Sequence, residues 1–405
     1  MPPSRRVLVY AELLSNIRQV SVGCTLPTPA SEHTQVAITA DGWALTVTHD
    51  GSSQTIRLPE RVAPFSRLPI KSAAGTSLSW RLPLAAPLSG RALPASEESV
   101  PWSAIDLETG SAIVCRTCRS TVVEAGTLVV WKDLPSENWA EMMEFWHCHK
   151  PDNHHKHGND DEHLANRGYG SNSRIEAQAG VGFVDLTSFL VAAPDLVTSL
   201  ISASESTGGV GGEIKATATT LHCTSCKTQL GVQNAQASSV SIFKWQVIVQ
   251  QRNRNISKPS PNVAQCVSAM LLATMARSGC SKSIMLPMKV RPGLSVAGSK
   301  TENQGQVQGL LNIWLFNANI TFSSTEACTS PTNAVKVLYR TINQEEADKM
   351  QESITSDVQD VSLPAEGITA IIGLLSRSNG FIPESDRKFK EWTVGLLEKW
   401  DSKGG

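Results

Sequence analysis

Two Cys-x-x-Cys pairs, Cys115/Cys118 and Cys223/Cys226, constrain this chain more than any other feature. Tetrahedral zinc wants four soft or borderline ligands, and a Cys-x-x-Cys turn supplies two thiolates at the correct bite, with backbone N–H groups facing the sulfurs. Each pair sits beside β-like runs: Ala112-Ile-Val-Cys115 and Thr121-Val-Val-Glu124 around the first, Leu221-His-Cys223 and the stretch from Val240 to Val249 around the second. The 104 residues between the pairs far exceed the loop of a compact zinc ribbon. A shared metal would therefore clamp two distant parts of the chain, and the expectation is one structural zinc on Cys115, Cys118, Cys223 and Cys226. The competing reading is two unrelated reduced pairs. A thioredoxin-like redox role is weaker still, because neither pair opens a βαβ-type helix. Cys24, Cys266, Cys280 and Cys328 stand alone and read as small buried hydrophobes.

Composition narrows the classes of partner. With 405 residues, 40% hydrophobic and 18% charged, the chain has ample apolar content for two to three domains. Its formal net charge of −1 excludes a broad basic surface, so no direct nucleic-acid binding and no anionic membrane partner are expected. No apolar run reaches the roughly 18 residues of a membrane span. The apolar start breaks at Glu12 and Asn16, too early for a signal-peptide core, which predicts a soluble intracellular protein.

The patterning predicts an α+β fold: mostly antiparallel β domains tied by the zinc knuckle pair, with a helical C-terminal region. Residues 1–110 read as a β-rich domain, with Asp41-Gly42 as a two-residue hairpin signal and Ser77 to Pro83 as an alternating run. Residues 111–260 form a central domain holding both knuckles and, at 151–180, a polar histidine-rich loop with almost nothing to bury. A helix is expected within Leu186 to Leu200. Residues 261–405 read as an α/β region, with a helix over Asn262 to Ser278, strands at Leu310 to Phe322 and Ala334 to Tyr339, and a mostly helical end. There Asn343 with Glu346 resembles a capping box. Two apolar stripes follow helical spacing, Ile368/Ile371/Ile372/Leu375 and Phe389/Trp392/Leu396/Trp400.

Between the knuckles lies Trp146-His147-Cys148-His149, at the end of a short segment whose helix start is Ser136-Glu-Asn-Trp139. Trp139, Met142, Met143 and Trp146 would share one apolar face, and Pro151 would stop the helix. Protonated imidazoles flanking a thiol favour the thiolate. Three readings stay open: Cys148 as an acyl-carrying nucleophile, Cys148 with His149 as metal ligands here or in a partner's open site, or a solvated histidine loop without chemistry. The last covers His154, His155, His157 and His163.

Cys115-x-x-Cys118, Leu134-Pro-Ser-Glu-Asn-Trp139, Trp146-x-Cys148-His149, Cys223-x-x-Cys226-Lys with Leu230-Gly231, and Ala334-Val-Lys-Val-Leu-Tyr339 occur in that order. This resembles the HECT-like ubiquitin-conjugating-enzyme-binding family of ubiquitin-protein ligases. The resemblance implies a ubiquitin-conjugating enzyme and ubiquitin as partners, action in cytoplasm and nucleus, and ligase-like promotion of ubiquitin transfer. It makes Cys148 and His149 the candidate catalytic pair, with Ser136, Glu137, Asn138, Trp139, Trp146 and His147 as partner-binding residues. Fungal and animal members also imply the alternative of a non-catalytic assembly partner of the mRNA cleavage and polyadenylation endonuclease, with the His-Cys-His segment inserted into its metal site. The last cysteine of this sequence, Cys328, precedes a long cysteine-free stretch, so Cys148 rather than a HECT-type C-terminal cysteine is the expected thiol if a thioester forms.

Overall fold

The computed structural model describes residues 6–63, 67–70, 75–85, 100–134, 177–197, 201–203, 218–234, 238–251, 259–288, 290–291, 310–327, 330–352 and 357–401. They form two compact units, one drawn from 1–99, 263–288 and 302–404, the other from 100–262 and 289–301. Both are built mainly from antiparallel sheets, with three described α-helices.

The first unit is organised on a nine-stranded sheet. Its main path runs Lys388–Phe389, Trp392–Glu398, Thr332–Ile342, Leu310–Ser324, Leu8–Leu14, Gln19–Thr25, Ser77–Pro83. Lys282–Pro287 adds antiparallel to Leu310–Ser324 and carries Val358–Leu363 parallel on its other side. Leu8–Leu14 is central, and its residues 8 to 13 are all buried. Val9, Ala11 and Leu13 face one core with Val20, Val22 and Cys24, a core shared with the small sheet Gln35–Ile38, Ala44–His49, Ser52–Arg57. Leu8 and Tyr10 face a second core with Phe322, Leu338, Trp392 and Val394. A strand covered on both faces needs a nearly continuous apolar run, and this one has it apart from Glu12.

Helix α1 (Val263–Ser278) and helix α3 (Ala365–Asn379) pack on the Trp392–Glu398 strand. Ile368, Ile371 and Leu375 are fully buried, as the helical stripe predicts. Gly395 permits the close approach: a Cβ there would lie 2.7 Å from Leu375 Cδ2 and 3.1 Å from the Tyr339 ring. The short helix α2 (Gln344–Glu352) is capped by Asn343, whose Oδ1 accepts from Glu346 N–H at 2.8 Å. The Glu346 carboxylate, however, pairs with Arg340 at 2.6 Å.

Three expectations are corrected. The stripe Phe389/Trp392/Leu396/Trp400 is not helical: Lys388–Phe389 and Trp392–Glu398 form a hairpin turning on Lys390, whose φ is 54°. A spacing of four satisfies a period of two as well as 3.6, and Trp392, Val394 and Leu396 share one buried strand face. The helix expected within Leu186 to Leu200 is instead the strand Ser188–Ala192 and a 3-10 turn Ala193–Asp195. Phe189 and Val191 bury completely against the Ser239–Phe243 strand, and Pro194 suits only a first turn. Finally, the Asp41-Gly42 turn is longer than two residues, since regular pairing ends at Ile38↔Leu45.

The second unit has an eight-stranded sheet, ordered Ile201–Ala203, Ala218–Cys223, Gln229–Asn234, Ser239–Phe243, Ser188–Ala192, Val181–Val184, Val130–Asp133, with Val290–Arg291 beside Ala218–Cys223. A three-stranded sheet, Val247–Gln250, Ala112–Cys115, Thr121–Val123, accompanies it. The 3-10 turn Lys244–Gln246 carries the chain from one sheet to the other. Its core holds Trp102 stacked on Phe189 at 5.9 Å and Trp131 tilted against the same ring at 5.2 Å.

Candidate metal centre

Each knuckle is the turn of a β-hairpin. Ala112–Cys115 pairs with Thr121–Val123, and Ala218–Cys223 with Gln229–Asn234. The turns are built alike. In the first, Arg119 N–H donates to Cys115 O at 3.0 Å and Cys115 N–H to Ser120 O at 2.8 Å. In the second, Lys227 N–H donates to Cys223 O at 2.8 Å and Cys223 N–H to Thr228 O at 2.9 Å. Arg119 and Lys227 both adopt left-handed backbone, at φ 65° and 61°. This is uncommon for residues with a Cβ, and it curls each turn back over its cysteines. Gly231 lets the second hairpin lie against its neighbour: a Cβ there would fall 2.1 Å from Ser241 O.

The two turns meet. The sulfurs of Cys115 and Cys226 lie 3.6 Å apart, those of Cys118 and Cys223 lie 3.5 Å apart, and all four fall within 4.8 Å of one another. Zinc bound at about 2.3 Å by four thiolates in a tetrahedron sets its sulfurs about 3.8 Å apart. The four cysteines therefore could hold a metal ion, and the geometry and donor set fit zinc. Cys115 and Cys223 are buried, while Cys118 and Cys226 are half-buried.

The environment divides the thiols. Cys118 is drawn down to about 6 by the Ser120 hydroxyl 3.2 Å away and the Ser120 backbone N–H. Cys226 is lowered in the same way by the Thr228 hydroxyl, also at 3.2 Å, and the Thr228 N–H. Burial pushes Cys115 up to about 12. A divalent cation would reverse that penalty by supplying the charge that burial removes.

The cysteine quartet is the part of the expected site that lies within the described residues. Cys148, His149, Ser136, Glu137, Asn138, Trp139, Trp146 and His147 lie outside them, as do residues 151–176 of the loop expected at 151–180; residues 177–180 are described and end in a turn that leads into Val181–Val184. Among the isolated cysteines, Cys24 and Cys266 are buried and Cys280 is half-buried, while Cys328 lies outside the described residues. Sequence reasoning stopped at the sulfurs and missed Ser120 and Thr228. The signal was there: Cys115-Arg-Thr-Cys-Arg-Ser120 and Cys223-Thr-Ser-Cys-Lys-Thr228 share one Cys-x-(Ser/Thr)-Cys-(Arg/Lys)-(Ser/Thr) pattern.

A second polar cluster sits in the first unit. Glu12 is 5% exposed and accepts from Tyr10 Oη at 2.8 Å and from Lys336 Nζ, all through Oε2. The group lines a cavity of about 710 Å³ with Ser21, Trp80, Arg81 and Asp386.

The family described as HECT-like Ubiquitin-conjugating enzyme (E2)-binding matches residues 12–394. An uncharacterized Schizosaccharomyces pombe protein is 25% identical over 317 residues, covering 75% of this chain and 79% of its own length. An uncharacterized Saccharomyces cerevisiae protein is 23% identical over 338 residues, 79% of each. A Homo sapiens protein named as an E3 ubiquitin-protein ligase is 22% identical over 376 residues, 85% of this chain and 86% of that protein. No solved structure matches.

Proposed function

Because the chain belongs to the HECT-like ubiquitin-conjugating enzyme (E2)-binding family, we propose that it binds a ubiquitin-conjugating enzyme and promotes transfer of ubiquitin from it. The observation that carries this reading is the family match across residues 12–394. Relatives named as ubiquitin-protein ligases, each covering most of this chain, support it.

In the same reading the metal is zinc, held by Cys115, Cys118, Cys223 and Cys226. Four protein thiolates complete a tetrahedral shell, the mark of a structural rather than a catalytic centre. Bound there, the ion would supply cross-linking between two hairpins far apart in sequence. Arg119 and Lys227, exposed at the turns, bring two positive charges toward a tetrathiolate centre of net charge −2.

The transfer step is assigned to Cys148. Its thiolate would attack the carbonyl carbon of the thioester joining ubiquitin to the conjugating enzyme. A new thioester forms on Cys148, and the conjugating enzyme's cysteine leaves as thiolate. His149 would favour the Cys148 thiolate as its neighbouring cation. Ser136, Glu137, Asn138, Trp139, Trp146 and His147 are assigned to the partner contact.

A discharge assay tests this. Purified chain is mixed with conjugating enzymes carrying labelled ubiquitin, and products are separated with and without reductant. The expected result is faster discharge and a reducible ubiquitin adduct lost in Cys148→Ala. Faster discharge with an adduct-free Cys148→Ala that performs as well as the parent would leave binding intact and remove the thioester. No binding and no discharge across a conjugating-enzyme panel would remove the ubiquitin reading and favour the non-catalytic assembly role.

A further inference from the structure

The hydroxyls of Ser120 and Thr228 do more than touch sulfur. Ser120 Oγ also lies 3.1 Å from Ser225 Oγ, and Thr228 Oγ1 lies 3.2 Å from Thr117 Oγ1. Each bond crosses from one knuckle to the other. The two relays, Cys118–Ser120–Ser225 and Cys226–Thr228–Thr117, are related by a local pseudo-twofold: the fifth position past each leading cysteine meets the second position past the other. Thr117 and Ser225 are exposed, and their link to the centre runs through the inner hydroxyls.

From this geometry we infer that Ser120, Thr228, Ser225 and Thr117 are positioning residues for the metal, forming two hydroxyl relays that hold the outer thiolates and couple one knuckle to the other. The inference rests on the zinc reading above. With Cys118 and Cys226 as thiolates, the sulfurs are acceptors, so Ser120 and Thr228 must donate to them. Their oxygens are then free to accept from Ser225 and Thr117, because a hydroxyl carries one donor and two acceptor positions. Each bond in the chain polarises the next. Cys115 and Cys223 are buried, and among the described residues no hydroxyl relay of this kind reaches them, so they depend on the cation itself for their charge balance. The centre thus supports its two outer thiolates with hydroxyl donors, and each donor is in turn supported by the opposite knuckle.

The test is metal binding by the full chain, read by cobalt(II) absorbance and by zinc competition against a chromophoric chelator. Outer partners of metal ligands commonly contribute 10- to 100-fold in affinity. The parent should bind one ion per chain with a thiolate-to-cobalt charge-transfer band. Ser120→Ala with Thr228→Val should weaken binding by about 10- to 100-fold and move that band to longer wavelength, since an unbonded thiolate gives up electrons more readily. Ser120→Thr with Thr228→Ser keeps both hydroxyls and should restore affinity and band. Ser225→Ala and Thr117→Val remove hydroxyls beyond the sulfurs' reach and should weaken binding in the same direction by a smaller factor. Affinity within twofold and an unmoved band in the Ser120/Thr228 pair variant would overturn the relay while leaving the zinc reading in place. A parent that binds neither cobalt nor zinc would overturn both.

Discussion

The sulfurs of Cys118 and Cys223 lie 3.5 Å apart although they belong to hairpins in different sheets, one three-stranded and one eight-stranded. Nothing in the backbone pairing of the described residues joins those two hairpins directly. The four cysteines and the two hydroxyl contacts are side-chain links between the turns. The contribution of a structural zinc to folding is large, about 10–16 kcal/mol in isolated fingers, so the second unit is expected to depend on it. Cys223→Ser should abolish stoichiometric zinc and lower the thermal midpoint, and a strong chelator added to the parent should lower it likewise. Elemental analysis and differential scanning calorimetry check this. A midpoint unmoved by both treatments would mean the unit holds itself.

The second prediction concerns Glu12 and Lys336. Glu12 has a side-chain exposure of 6%, against 20% for Lys336. Removing one partner of a buried pair leaves an uncompensated charge and costs about 3–5 kcal/mol, whereas replacing both by apolar groups is often neutral. Lys336→Met should therefore destabilise strongly, and Glu12→Gln with Lys336→Met, which removes the buried charge but keeps an acceptor for Tyr10 Oη, should recover much of the loss. Urea midpoints of the three proteins would show it. Equal loss in the single and double variants would mean the pair contributes through packing alone.

That pair also marks where sequence reading ran out. Glu12 interrupts an apolar run, and a carboxylate there reads as the end of a buried stretch. Its partner lies 324 positions away, on a strand two places across the sheet, and no local pattern carries that distance. The cysteine quartet was legible because each half is a short motif with its own turn geometry, so only the meeting of the halves had to be inferred. α1 and α3 were legible because their stripes admit one period. Trp392 and Leu396 were not, because four residues is a repeat in a strand as well as a helix. Tyr10↔Ser324 pairs the chain's beginning with a strand far along it, a relation set by burial of both faces of Leu8–Leu14 rather than by any local signal.

Gly231 and Gly395 should respond differently to alanine. At Gly231 the new Cβ meets a backbone oxygen at 2.1 Å, and that oxygen belongs to the paired strand Ser239–Phe243. The sheet must open for it to fit. At Gly395 the nearest atom is the end of the Leu375 side chain, at 2.7 Å, which a rotamer change can withdraw. Overpacking of that kind costs about 1–3 kcal/mol. Gly395→Ala should give a folded protein with a lowered midpoint, while Gly231→Ala should lose the soluble second unit and with it the zinc. Circular dichroism melts and zinc content distinguish the two. A Gly231→Ala protein with parental zinc content would show that the strands there tolerate separation.

The last prediction follows from Tyr10. Burial, then the neighbouring Glu12 carboxylate, hold its phenol well above the ordinary tyrosine value of 10.0. In the unfolded chain neither influence acts, and the phenol ionises near 10. A group whose folded value is raised favours the folded state while it is protonated in both states. That advantage falls away as pH climbs past 10, because the unfolded chain releases a proton that the folded chain retains. Below pH 9 the parent should exceed Tyr10→Phe by about 1.5–3 kcal/mol, the value of a hydrogen bond to a charged group. Between pH 9.5 and about 11 the gap should narrow, since only the parent's unfolded state can ionise at this position. Urea denaturation of both proteins across that range measures the gap, and comparing the two cancels the lysines and the other tyrosines. A gap that stays constant or widens with pH would mean that Tyr10 ionises at least as readily in the folded protein as in the unfolded one.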